Sequence, residues 1–350
     1  MSYLARKLAL FPHEDSAMAM NPVQFQYGMS MPDFYKAFGT EPQCAKAVAQ
    51  MRWPNGFHCP ICSGTNHCIV SGRTHPLYQC SACRHQTSLT AGSLFQSTKL
   101  PLTIWFLAIY LVSQAKTGLS SLALHRQLGV SYPTAWLLHH KLMHVMAQRE
   151  QCHQLRGLIQ LDDAYLGGER AGGKVGRGSE NKVPFVAAVL LSNQGQPLFV
   201  KLSLVEGFNS AAIKDWAVKN LAPGCKVLSD GLACFNAVTE ANCTHTANVV
   251  GTSKPRDLPQ FKWVNTVLGN LKTSLAGAYH ALDYAKYASA YLAAFCYRFN
   301  RRVDLRTLVV KLMADTALCG PHPLHVIRAA EASCESGYGL KPALAVAVHP

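Results

Sequence analysis

A multi-domain α+β chain is predicted by three features of these 350 residues. Two Cys-x-x-Cys pairs stand close together in the N-terminal third, a helix-patterned apolar stretch runs over 101–147, and from Gly157 short apolar strands alternate with amphipathic helices. The expected order is a partly helical segment over 1–50, a metal-held ribbon over 51–95, a helical region over 96–150, an α/β domain with a mixed sheet over 151–305, and a C-terminal helix and tail over 306–350.

Composition narrows what such a chain does. It is 49% apolar, enough for a sizeable core, and carries a formal net charge of +14 with a pI near 9.2. An excess of cations points to a polyanionic partner, with an ordinary basic protein as the alternative. No basic stretch followed by an apolar signal core opens the chain, which argues against export. The longest apolar run, "LPLTIWFLAIYLV" at 100–112, falls short of the ~20 residues a membrane helix needs, and reads as a buried helix. Thirteen cysteines make an odd count in a long chain, and four of them form the two pairs, so a reducing cytoplasm fits better than a disulfide framework.

The pairs are Cys59-Pro-Ile-Cys62 and Cys80-Ser-Ala-Cys83, separated by seventeen residues. Two residues between ligands let a tight turn aim both sulfurs at one ion, and "HCIVSGRTHPLY" between them is long enough for a hairpin that returns the second pair. Four thiolates close a zinc tetrahedron, so the expected role of Zn2+ is structural. Cys68, His58, His67, His75 and His85 lie near enough to substitute. Arg73, Arg84 and His85 fit a ribbon that touches nucleic acid, although ribbons also bind protein.

The helical middle contains "TGLSSLALHRQLGVSYPTAWLLHHKLMHVM". Ser120 or Ser121 caps one helix, Gly129 supplies a turn, and Ser131 opens a second helix, which is a helix-turn-helix pattern. On that reading His139, His140 and Lys141 are exposed and approach DNA. A plain helical hairpin with no DNA role has the same signature.

In the last half, "GLIQLDDAYLGG" is a strand ending in acids, "VPFVAAVLLSN" and "PLFVKLSLVEG" form a hairpin, and "SAAIKDWAVKNLA" is a helix. The strand "KVLSD", the helix "LACFNAVTEA", a short strand near "HTANVV" and the helix "KWVNTVLGNLKTSLAGA" follow. This is the element order of a ribonuclease H-like domain. That order sets the end of the first strand beside the end of the fourth, bringing Asp162 to Asp230 while the last helix presents Asn265. Crowded carboxylates call for a hard cation, Mg2+ or Mn2+, and two such ions support in-line phosphodiester displacement. Lys272, two helical turns beyond Asn265, then faces a DNA phosphate.

These segments resemble the DDE-type insertion-sequence transposases with an N-terminal zinc ribbon, in the branch whose third acid is replaced by Asn and followed by Lys. The likeness runs from about Met31 to Cys319, through "RWPNGFHCPIC", "CSACRHQTSLTAGSLF", "LDDAYLGG", "LSDG", "VNTVLGNLKTSLAGAYH" and "YLAAFCYRFNRR". The resemblance implies a transposase that binds its terminal inverted repeats, cleaves the 3' end and transfers the strand to target DNA. It makes Asp162, Asp230 and Asn265 the metal triad and Lys272 the base at the DNA end. It further implies a homo-oligomer on double-stranded DNA in a prokaryotic, nucleoid-associated setting, with no membrane partner. Asn in place of an acid weakens a metal site unless another carboxylate helps, and Asp163, Asp257 and Glu240 are the candidates.

Two basic segments complete the expected DNA surface. "GGERAGGKVGRGSENK" at 167–182 carries Arg170, Lys174, Arg177 and Lys182 on a Gly-rich loop able to follow a phosphate backbone. "YRFNRR" contributes Arg298, Arg301 and Arg302, whose charge also suits a helix C-terminus. The competing functions are a transposase-derived DNA-binding regulator without catalysis and a ribonuclease H-like nuclease that cuts without joining.

Overall fold

Residue 23 and residues 26–70, 76–167, 182–249, 258–279 and 283–329 are described by the computed structural model. Helices α1 (Met31–Phe38) and α2 (Glu41–Arg52) lead into a three-stranded antiparallel sheet of β1 (His67–Val70), β2 (Leu77–Cys80) and β3 (Gln86–Ser88). Trp53, Phe57, His67 and Tyr78 pack ring against ring beneath it, with Arg52 stacked 4.9 Å over Trp53. Arg52 also donates to the carbonyls of Leu89 and Ala91, which fastens α2 to the segment after β3.

Helices α3 (Leu102–Gln114), α4 (Ser121–Leu128) and α5 (Tyr132–Gln151) follow. The Glu41 carboxylate accepts from the Leu102 and Thr103 N–H groups at 2.8 and 3.1 Å, an anion at the positive end of α3 that ties it to α2. The apolar run at 100–112 is indeed a buried helix, and among the described residues no helix is long and apolar enough to cross a membrane. Ser120 caps α4, Gly129 turns the chain at φ +66°, and Ser131 caps α5, so the predicted turn chemistry is present.

The exposed second helix, however, is not. Leu138, His139, His140, Leu142, Met143, Val145 and Met146 of α5 are all buried, and α5 packs against α4, α8 (Tyr284–Asn300) and α9 (Leu305–Leu318). His139 and His140 are 1% and 3% exposed, which corrects the expectation that they reach DNA. The physical reason is packing: His139 bonds Ser121 of α4 and both histidine rings lie against Tyr291 of α8, so they fall on a face of α5 that neighbouring helices cover.

The larger sheet contains β4 (Leu158–Leu166), β5 (Val183–Leu191), β6 (Pro197–Leu204), β7 (Lys226–Ser229) and β8 (Thr244–Ala247) in the order β6-β5-β4-β7-β8. The first three strands are antiparallel and β7 and β8 run parallel to β4, the mixed ribonuclease H-like arrangement that the element order predicts. Helix α6 (Ser210–Asn220) connects β6 to β7, and α7 (Lys262–Ala278) follows β8. The expected helix at 232–241 is present as a 3-10 helix over Ala233–Ala241, ending on Asn242 at φ +58°.

Strand alternation divides the sheet. Ile159, Leu161, Val186 and Ala188 face α6 and the 3-10 segment, while Phe185, Ala187, Val189, Val200 and Leu202 join a second core with α5, α7, α8 and the ribbon. Short helix α10 (Leu324–Ala329) closes against α5.

Candidate active site and metal clusters

The Sγ atoms of Cys59, Cys62, Cys80 and Cys83 lie within 4.8 Å of one another, and the Cys59–Cys83 and Cys62–Cys80 pairs are each 3.5 Å apart. Ligands at the ~2.3 Å Zn–S distance stand about 3.7 Å apart along a tetrahedron edge, so the cluster fits one zinc. Cys68, His58, His67 and His85 are not in it.

Two matching turns build the cluster. Ser63 donates its N–H to Cys59 O and Arg84 donates to Cys80 O, and both Ser63 and Arg84 sit at φ +60°, each just after the second cysteine of its pair. Backbone N–H groups of Cys83 and Ala82 aimed at Cys80 hold that thiol down at about 6, favouring the thiolate a metal needs. Arg73 and His75 lie outside the described residues.

The second cluster is acidic. Carboxylate oxygens of Asp162, Asp163 and Asp230 come within 4.8 Å of one another, each residue half-buried. Parallel pairing of Leu161 with Ser229 places Asp162, the next residue of β4, beside Asp230 just past the end of β7. Gly231 at φ +91° turns the chain immediately after Asp230, and Asp230 Oδ1 accepts from the Leu232 N–H at 3.2 Å, fixing the carboxylate at the strand end.

Helix α7 is seated on the same strand by a residue that sequence reasoning missed. Gln160 is 3% exposed; its Oε1 accepts from the Val264 N–H at 2.9 Å and its Nε2 donates to Gln260 O at 2.6 Å. The side chain thus satisfies an orphan donor in the first turn of α7, two residues from Asp162 on one side and one residue from Asn265 on the other. In the register, Gln160 lies opposite Val189 and Asp162 opposite Ala187, both on the face that α7 covers. The available signal was a polar Gln in "LIQL" at a position whose strand parity made it buried. Asn265 is half-buried and Lys272 exposed on α7.

Of the supporting acids considered, Asp163 is in the cluster. Glu240 instead pairs with Lys214 of α6 at 2.7 Å, and Asp257 lies outside the described residues.

The expected DNA-contacting cations fare differently. Arg170, Lys174 and Arg177 lie outside the described residues, and Lys182 is half-buried just before β5. Arg301 stacks 3.5 Å from the Tyr297 ring and pairs with Glu150 of α5 at 2.6 Å. Arg302 lies over Phe299 and donates to the carbonyls of Pro197 and Leu198. Arg298 is half-buried beside Tyr279, and burial lowers its pKa. Asn300 sits between these arginines, donating to Glu150 and bonding both backbone groups of Val200. The "YRFNRR" segment therefore clamps α8 to α5 and β6, because satisfying buried polar groups takes precedence over reaching solvent. Lys141 lies half-buried, 5.7 Å over Trp105.

Residues 154–300 match the family model for an ISXO2-like transposase domain, and residues 39–86 match that for a transposase zinc-ribbon domain. Over 133 residues the chain is 29% identical to an uncharacterized protein in transposable element ISH50 of Halobacterium salinarum, covering 37% of this chain and 44% of that relative. The chain thus spans less than half the length of the relative it matches.

Proposed function

We propose that this chain, similar over residues 39–86 to a transposase zinc-ribbon domain and over 154–300 to an ISXO2-like transposase domain, is an insertion-sequence transposase that binds the terminal inverted repeats of its element, cleaves their 3' ends and transfers them to target DNA. The observation that carries this reading is the convergence of Asp162 and Asp163, midway along β4 rather than at its end, with Asp230 just past the end of β7. Three carboxylates this close repel one another unless protons or a cation intervene, and their hard oxygen donors suit Mg2+ or Mn2+. A pair of such ions, when bound, supplies a nucleophile at neutral pH and stabilises the leaving oxygen.

Asp162 and Asp230 act as ligands, with Asp163 restoring the negative charge that Asn265 does not provide. Asn265 offers a neutral carbonyl oxygen from α7, whose position Gln160 fixes. Lys272 holds a phosphate of the DNA end by charge. In the first step water attacks the phosphorus, the P–O bond to the 3' oxygen breaks, and a 3'-hydroxyl is freed. In the second step that hydroxyl attacks a target phosphodiester and displaces its 3' oxygen.

The deciding experiment incubates purified protein with duplexes carrying the element's inverted repeats and Mg2+ and separates nicked from joined products. Joined product that disappears in Asp162→Ala and Asp230→Ala, with duplex binding retained, is the expected result. Nicking without joining makes the protein a nuclease, and binding without either product makes it a regulator.

A further inference from the structure

A groove of about 720 Å³ lies between the segment before α3, the first three turns of α5, the first turn of α8, and α10, with no residue of β4 or β7 in its described lining. Four cations line it, Lys99, Lys141, Lys286 and Arg328, and among the described residues no carboxylate does. None of them belongs to an ion pair among the described residues. Burial pushes the Lys141 ammonium down from its ordinary value, a cost that a bound anion would offset.

Aromatic rings stand among these charges. Lys141 and Lys286 lie 5.7 and 5.4 Å over the rings of Trp105 and Tyr287, Trp136 packs 5.9 Å edge-on to Tyr287, and Tyr132 is 48% exposed at the mouth. Cations interleaved with flat rings match a ligand that alternates phosphates with planar bases. An acidic peptide satisfies the charges but gives the exposed Tyr132 ring no flat surface to stack on. A duplex fails differently, because the faces of its bases are already covered by neighbouring base pairs and only an unpaired or extruded base can stack on a protein ring. The volume lies within the range of about 300–1,000 Å³ typical of small-molecule sites, which suits a nucleotide or two rather than a helix.

We propose that this groove binds unpaired nucleotides of a DNA strand, stacking bases on Tyr132, Trp136 and Tyr287 while Lys99, Lys141, Lys286 and Arg328 hold the phosphates. The proposal rests on the DNA-transposing reading and adds to it a second contact for the strand, built by the helical region rather than by the acids. It also gives Tyr132, Trp136 and Lys141 of α5 a nucleic-acid role that the buried His139 of that helix lacks.

The test uses the full-length zinc-loaded protein and a twelve-nucleotide oligothymidylate carrying one 4-thiothymidine, with a duplex of equal length as comparison. Fluorescence anisotropy gives the affinities and photocrosslinking gives the site. Tyr132→Ala and Lys286→Glu are chosen because Tyr132 is exposed and Lys286 is half-buried outside every described ion pair. Each is expected to weaken single-strand binding by about tenfold or more, with duplex affinity, zinc content and melting temperature little changed. Crosslinked peptides are expected to contain residues 132–141 or 284–287. Crosslinks confined elsewhere, unaltered single-strand affinity in both variants, or an equal loss for duplex and single strand each overturn the proposal. Cleavage and joining that persist after such a result leave the transposase reading standing, whereas groove binding without any Mg2+-dependent product would remove that reading and keep the groove.

Discussion

The four-cysteine and three-aspartate clusters each draw anionic ligands within 4.8 Å, yet they are assembled in opposite ways. Each half of the cysteine site is made by one tight turn whose own backbone N–H groups support the sulfurs. The aspartate site depends on the pairing of β4 with β7, strands distant in sequence, and lies beside a helix seated by Gln160. Four sulfurs complete a tetrahedron and leave no position for a reactant, whereas three half-buried carboxylates beside the end of β7 would leave a bound cation open to one. A site that folds its own surroundings is thereby separated from a site that the fold must hold against its own repulsion.

The largest effects test the first half of that contrast. Cys62→Ser should abolish zinc retention, read by elemental analysis as about one zinc per chain falling to near none, and should unfold the ribbon. Structural zinc contributes an apparent ~10–16 kcal/mol in small zinc modules, far more than the ribbon's three short strands supply. Calorimetry should then show an early transition for the ribbon while the α/β domain still melts cooperatively. Full zinc retention would mean that the cysteines are not the ligands.

The acids should behave in the reverse sense. Asp162→Ala is expected to lower Mg2+-dependent cleavage by about a thousandfold or more, since a missing ligand removes stabilisation that exists only in the transition state. Its melting temperature without metal should shift far less than that of Cys62→Ser, because no structural metal is lost. A fall as deep as that of Cys62→Ser would erase the distinction between the clusters.

The same contrast explains what could be read from the sequence. Ligand spacing is local, so the cysteine site was legible from the two pairs alone, and the caps at Ser120 and Ser131 followed from adjacent residues. The acidic site became legible once the strand order was recognised, since topology brings Asp162 to Asp230. Charge misled where it was read without burial. Arg301 and Arg302 look like a DNA patch but are held by Glu150 and by carbonyls of β6, and His139 and His140 are covered by Tyr291 of α8. Gln160 escaped notice because its partners, Val264 and Gln260, belong to a segment a hundred positions away.

A smaller effect sharpens the role of that glutamine. Gln160→Leu leaves the Val264 N–H and the Gln260 carbonyl without their partner, a loss of about 1–3 kcal/mol in stability by denaturant titration. Cleavage should fall further than the lost folded fraction explains, because α7 carries Asn265. Gln160→Glu keeps the acceptor for Val264 and should recover part of the rate; if cleavage instead tracks stability alone in both variants, α7 is held well enough without it.

The smallest effect concerns the helix that the sequence placed at the surface. Burial holds His139 at about 3 and His140 at about 4, below the ordinary histidine value near 6.5. With folded values depressed, the unfolded chain binds more protons through this window, so stability rises with pH and is lost as pH falls from about 6.5 toward 3. Between pH 7 and pH 6 the expected loss is about 0.7 kcal/mol per histidine. His139 Nδ1 bonds Ser121 Oγ at 3.1 Å, a contact that an asparagine amide reproduces. His139→Asn should therefore keep its stability at pH 7 more nearly than an alanine would, while showing a shallower decline toward pH 6 in urea titrations. An unchanged slope would mean that His139 is not the group that protonates on unfolding, and that the acid sensitivity of the helical core comes from His140, His144 and His322, whose values burial also lowers.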